Sequence, residues 1–403
     1  MNTDFTPLPA RPNLEQYKKQ AKDLAKAIDA NDAEAVRLVK KYHPRSGQAL
    51  DSKFALGDAQ LTIARRHGFE SWPKFSKHIE ALTRENSSVS KFELAADAIV
   101  TGDAATLQTL LGENPELVRA RSTRVHRATL LHYLGANGFE DHRQKSPANA
   151  VEMARILLGA GAEVDAVAEA YGKSTALSLV ATSVHPKRAG VQIALMETLL
   201  DYGADIDGPA RVGSVNPALR NGRPEAAEFL ARRGARLDLE GAAGVGRLDL
   251  VESFFNGDGS LKASATRAQM NAGFLWACEY GRNDVVEFLL KRGADLNAAE
   301  NTGLTGLHWA VVGGQLDTIK LLLERGAALE AKNVYGGTTL GTALWAAFHG
   351  DPGVDYVAII ETLLDAGAEI RPGALEWLAA QEGRAASIKA RIAEVLRHRG
   401  AGL

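Results

Sequence analysis

A chain of 403 residues is long enough for two or three ordinary domains, but length forces no domain count, because a stack of small units can grow without limit. A net charge of -2 with 24% charged residues argues against a dominant electrostatic pull toward nucleic acid or an anionic membrane. One cysteine, Cys278, excludes an internal disulfide and suits a reducing compartment.

The opening MNTDFTPLPARPN is polar and acidic where a secretory signal would be basic and then apolar. No eighteen residues run apolar without a break, so the cytoplasm is the expected location. Residues 1–86 then predict four helices. Asn13 caps a first one through Leu14, Tyr17, Ala21, Leu24 and Ile28; a second runs from Asp32 to Tyr42 and stops before Pro44. Asp58 is expected to cap a third that ends at Gly68, and Ser71 starts a fourth with Pro73 in its first turn. Trp72, Phe75, Ile79 and Leu82 give that last helix a buried face. The leader holds 15 Lys and Arg against 11 Asp and Glu; the excess can mark an acidic partner, but lysines on the wet face of an amphipathic helix account for it more simply. Glu85-Asn86-Ser87-Ser88 reads as a linker.

From Lys91 onward the chain repeats. In its clearest stretch Leu289-Leu290-Lys291-Arg292-Gly293-Ala294 returns as Leu322-Leu323-Glu324-Arg325-Gly326-Ala327, and Gly303-x-Thr305-Gly306-Leu307 returns as Gly336-x-Thr338-Thr339-Leu340. Thr305 is placed to cap a short helix carrying Leu307, Ala310 and Val311; a second helix presents Ile319, Leu322 and Leu323 and closes at Gly326. Two helices of about two turns cannot bury their apolar faces alone, so neighbouring units must share one core. Gly-Ala closing signals at Gly161, Gly203, Gly234, Gly293, Gly326, Gly367 and Gly400 give about nine units over residues 87–403, one of them (Ala242 to Phe255) without its Gly-Ala.

The run TGLHWAVVGGQLDTIKLLLERGA resembles an ankyrin repeat, whose signature is T-P-L-H-x-A, with Gly306 in the place of the usual proline. The phrases LPARPNLEQYKKQAKDLAKA and GDAQLTIARRHGFESWPKFSKHIEAL are similar to the helical leader ahead of ankyrin arrays in many bacterial proteins. The resemblance implies an all-α fold: a small helical domain over 1–86, then an ankyrin-repeat solenoid of helix-turn-helix units with hairpin fingers, whose concave face usually binds another protein. It also implies a structural task for His132 and His308, bonding the backbone of a neighbouring finger.

A longer repetition lies over the short one. Residues 171–206 match 335–370 without a gap at an offset of 164, pairing Tyr171 with Tyr335 and His185 with His349. Either a five-unit block was duplicated, or two equivalent places need the same shape.

Motifs for chemistry are sparse. Gly172-Lys173-Ser174 imitates the end of a phosphate loop, but Val167 stands where that pattern needs glycine. No spaced Cys or His set for zinc and no hydrolase or calcium-loop motif occurs, so neither metal nor cofactor is expected. Two readings of function follow. In the first, a monomer holds a protein partner through Glu169, Tyr171, Arg211, Glu300, Asn301, Trp309, Asn333, Tyr335 and Trp345, aromatic anchors within a polar rim. In the second, lengthened connections after Gly138, His185 and His349 wall off a pocket in which His185 or His349 acts as acid or base beside Tyr171 or Tyr335. Against the second, a histidine that closes a helix C-terminus suits the dipole there without any chemistry.

Overall fold

The computed structural model describes residues 5–9, 11–45, 54–84, 86–137, 139–208, 213–382 and 386–400. Among the described residues the named elements are all helical, and strand-like pairing is limited to three isolated bridges, Ala168 with Ser174, Phe255 with Leu261 and Ala299 with Thr305. The chain divides into two compact units, Met1–Gly234 and Ala235–Leu403.

The first unit opens with helices Leu14–Asp29, Ala33–Tyr42, Leu56–Arg66 and Trp72–Leu82. Side-chain caps explain two of the starts: Asn13 accepts from the Glu15 and Gln16 N–H groups, and Asp32 from those of Glu34 and Ala35. The third start corrects the sequence reading. Asp58 is the third residue of that helix, not its cap, and its carboxylate accepts from the Ala55 N–H at 2.9 Å, closing the first turn from inside. Tyr17, Leu24, Val39, Ile63, Phe69, Phe75 and Ile79 bury together, with Tyr17 edge-on to Phe75 at 4.9 Å between ring centres. Each such side chain contributes about 1.5–3 kcal/mol of apolar burial. Ser87, read as linker, caps helix Ser88–Thr101 and donates its hydroxyl to the Ala81 carbonyl. The leader thus keeps its own apolar cluster while lying in the same compact unit as the four helix pairs that follow.

Those pairs are Ser88–Thr101 with Ala104–Glu113, the 3-10 turn Leu130–Gly135 with Ala150–Gly159, Ala176–Thr182 with Gln192–Asp201, and Val215–Arg220 with Pro224–Arg232. An extra short helix, Val184–Arg188, follows Thr182. Pro186 explains the break, since its ring would clash with the Thr182 carbonyl in a continuous helix, and Ser183 turns extended and recaps the chain.

The second unit holds five pairs: Leu239–Gly244 with Leu248–Ser253, Arg267–Glu279 with Asn283–Lys291, Gly306–Val312 with Leu316–Glu324, Thr339–His349 with Tyr356–Asp365, and Ala374–Ala380 with Ala386–His398. First helices pack on one another through small residues such as Ala243, Ala277, Ala310 and Ala343, all fully buried, so their backbones approach closely. Second helices cover them with Val286, Ile319, Leu322, Ile360 and Leu363, giving one apolar cluster from Leu239 to Leu396. At Gly326, with φ +80, the Gly326 and Ala327 N–H groups return to the Leu323 and Leu322 carbonyls and end the second helix.

Gly306 is explained by packing. A Cβ there would lie 2.9 Å from Phe274 Cε1 and 3.0 Å from Cys278 Sγ. Gly306→Pro, which restores the repeat signature and puts proline at a helix position it normally favours, should therefore cost about 1–3 kcal/mol. Urea unfolding measures it, and a gain in stability would refute the packing argument.

Candidate functional site

In the 235–403 unit a cavity of about 720 Å³ lies between the finger at 333–338, the first helix Thr339–His349, the turn 369–373 and the start of helix Ala374–Ala380. Leu304, Val312, Leu340, Leu344 and Ile370 make its aliphatic walls; Tyr335, Trp345 and Trp377 bring three aromatic rings, and Glu369 and Arg371 its charges. Tyr335 is 86% exposed, Trp345 50% and Trp377 37%, which is unusual for rings that a core could have used. Each is held. Asn333 Oδ1 accepts from the Tyr335 and Gly337 N–H groups at 3.0 and 2.9 Å and shapes the fingertip. His349 packs on Trp345 one helical turn away at 4.9 Å, and Phe348 meets Trp377 edge-on at 6.0 Å.

The matched stretch in the 1–234 unit also borders a cavity, of about 300 Å³, lined by Asn137, Tyr171, Lys173, Ser174, Ser178, Asp207 and Asn221 among others. Tyr171 is 58% exposed at its tip. Ser174 donates its hydroxyl to the Ala170 carbonyl at 2.8 Å, so Gly172-Lys173-Ser174 is a folded fingertip with its serine already engaged.

Of the residues expected to meet a partner, the structure brings Asn333, Tyr335 and Trp345 to one cavity and Tyr171 to the other. Asn333 serves the turn as well. Glu169, Glu300 and Asn301 are exposed, Trp309 is half-buried, and none of these four lines either cavity. Arg211 and Gly138 lie outside the described residues.

The histidines part from their tyrosines. His349 is exposed against Trp345, and His185 sits half-buried in Val184–Arg188, where burial, then Arg188 and Arg223, lower its pKa. Neither lines the cavity that its paired tyrosine borders, because the cavity walls come from fingertips and helix starts while the lengthened connections follow the far ends of the first helices.

His132 and His308 have structural bonds. His132 Nδ1 accepts from the Thr129 N–H at 3.2 Å while Nε2 donates to the Ser174 carbonyl of the next finger, and His308 Nδ1 accepts from the Thr305 N–H at 3.3 Å in the same way. Cys278 is fully buried, which pushes its thiol pKa up and keeps it inert. Burial raises the Glu279 carboxyl to about 7, with the charge of Glu300 adding to it.

Sequence reasoning missed a buried charge cluster in the 1–234 unit. Glu93, on helix Ser88–Thr101, takes Arg124 at 2.5 Å on one carboxylate oxygen and Arg143 at 2.7 Å on the other. Arg143 also reaches Asp97 at 2.8 Å, while Arg124 Nε meets Glu140 at 3.1 Å and the Tyr133 hydroxyl donates to Glu140 at 3.3 Å. Burial works to raise the Glu93 carboxyl, but Arg124 and Arg143 overcome it and hold it down to about 2. The connection 139–149, expected to wall off a pocket, is instead tied by Arg143 to helix Ser88–Thr101 and by Glu140 to Arg124, and it lines neither cavity. The one signal in the sequence was a glutamate between Phe92 and Leu94.

Stacked helix pairs joined by hairpin fingertips define a helical repeat protein. Residues 239–333 and 274–374 match the family model for ankyrin repeats (3 copies), so the stretch 239–374 is made of ankyrin repeats and the fold is an ankyrin-repeat fold. The chain is similar to the crystal structure of the human ASB11 ankyrin repeat domain at 21% identity, over 69% of this chain and 99% of that one, with a TM-score of 0.36. No curated protein matches it. Among the described residues no helix is long and apolar enough to cross a membrane.

Proposed function

We propose that this protein is an interaction scaffold that holds a segment of a partner protein against the fingertips of its repeats. Ankyrin repeats are in general protein-interaction modules. The observation that carries the reading is the gathering of Tyr335, Trp345 and Trp377, large rings left open to solvent, around one apolar cavity. Interfaces draw their affinity from such anchors seated in desolvated pockets. Work as a monomer in the cytoplasm belongs to this reading, in keeping with a single, buried thiol.

The test uses the full chain as bait in quantitative affinity purification, beside a Tyr335→Ala/Trp345→Ala variant of unchanged helicity. A protein retained by the wild type and lost by the variant is the expected result. Retention of the same proteins by both baits, or turnover of a metabolite by the purified chain, would defeat the reading.

A further inference from the structure

The 164-residue duplication provides an internal control for the cavity. Along the gap-free match, extended by two residues to 208 and 372, Trp345 stands where the 1–234 unit has Ala181, Leu340 where it has Ala176, and Arg371 where it has Asp207. Ala176 and Ala181 are fully buried, and their helix pair folds with them. The fold therefore does not require an aromatic ring or a guanidinium at these places. Of the two charged residues lining the larger cavity, Glu369 keeps the sign of its match Asp205. Both residues have the same backbone task, donating an N–H to a carboxylate of the preceding finger, Glu330 for Glu369 and Asp165 for Asp205. Arg371 is the reversed charge, exposed and paired with no described carboxylate.

We propose that the two matched places have diverged into sites of different selectivity. The one in the 235–403 unit takes a bulky apolar side chain of a partner peptide, with a carboxylate one or two residues away that meets Arg371. This deepens the scaffold reading and rests on it. The apolar anchor follows from what the cavity gained relative to its match, an indole and a leucine, which join the ring of Trp377 around about 720 Å³, a volume suited to a large side chain and its neighbours. The carboxylate follows from the charge reversal, since the same group would meet Asp207 at the other place, and specificity grows from such repulsion as much as from attraction. His349 against Trp345 and Phe348 against Trp377 hold the two indoles before any ligand arrives, which lowers the entropic cost of binding.

The test selects random dodecapeptides displayed on phage against the full chain, then measures binding of the enriched synthetic peptides by fluorescence anisotropy. Trp345→Ala and Arg371→Asp introduce residues that the matched place already carries, and a thermal melt checks that both variants fold. The expected peptides share Trp, Phe or Leu with Asp or Glu within two residues; Trp345→Ala weakens them about tenfold or more, and selection on Arg371→Asp exchanges the acid for Lys or Arg. Enriched peptides without an apolar anchor, equal binding to Trp345→Ala, an acidic preference that survives Arg371→Asp, or no enrichment would each overturn the proposal. So would concentration-dependent self-association abolished by Trp345→Ala, which would make a second copy of the chain the occupant. Peptides that bind but ignore both variants leave the scaffold reading standing, whereas that reading fails by its own bait experiment.

Discussion

Arg143→Met should cost the 1–234 unit about 3–5 kcal/mol, the loss expected when one partner of a buried ion cluster is removed and the other stays. The reason is the company that Glu93 keeps. Its side chain is almost wholly buried and depends on Arg124 at 2.5 Å and Arg143 at 2.7 Å to remain ionised. Without Arg143 its second oxygen faces a protein interior that cannot solvate it, and the Arg143 bonds to Asp97 and to the Glu93 carbonyl vanish too. Methionine fills a similar volume, so the loss reads charge rather than a cavity. Urea unfolding of the full chain gives the magnitude, and hydrogen exchange over residues 88–145 locates it. The double variant Glu93→Gln/Arg143→Met should recover part of the loss, because the buried uncompensated charge has gone with its partner. A penalty below about 1 kcal/mol, with exchange in helix Ser88–Thr101 unchanged, would show that water already screens the cluster.

That cluster also shows where the sequence stops being informative. The repeat was legible because its determinants are local: Thr305 and His308 are three residues apart, and Gly326 closes the helix that immediately precedes it. Asn13 and Asp32 cap by contacts two and three residues away and could be read by eye. Asp58 could not be placed to the residue, since cap and third position use the same side-chain type and differ only in which N–H the carboxylate reaches. Glu93 and Arg143 are fifty residues apart and share no period, so an acid on an apolar helix face was visible without the cation that explains it. The cavity was half legible. Exposed aromatics at Tyr335 and Trp345 stand out at fingertip and inner-helix positions, but the pairing of His349 with Tyr335 did not reveal its neighbours, because offset in sequence fixes register along the helix and not which side chains face one another. In the structure His349 meets Trp345 instead. The matched pair gave its best return as a comparison, by showing which lining residues the fold can do without.

Mild acid should weaken the 1–234 unit well before its carboxylates titrate. His67, His78 and His132 are all buried, and burial lowers each from the ordinary 6.5 to about 4. Their surroundings favour the neutral ring: His67 stacks on Phe75, His132 Nδ1 accepts the Thr129 N–H, and His78 binds Thr123 while facing Arg124 and Arg143 as well as Glu93 and Glu140. A folded pKa below the unfolded one means that the unfolded chain takes up the proton first. The stabilisation from keeping each ring neutral is therefore complete above pH 6.5 and is lost as pH falls from 6.5 through about 4, on the order of 3 kcal/mol per histidine. The cluster titrates later: Glu93 stabilises above its ordinary 4.5 and loses that as pH falls through about 2. Unfolding midpoints in urea at pH 7.5, 6 and 5 should thus drop steadily, and His78→Gln should reduce the slope by about one proton. A midpoint that stays level from pH 7.5 to 5 would mean that these rings accept protons in the folded state, by local opening or through a bound water.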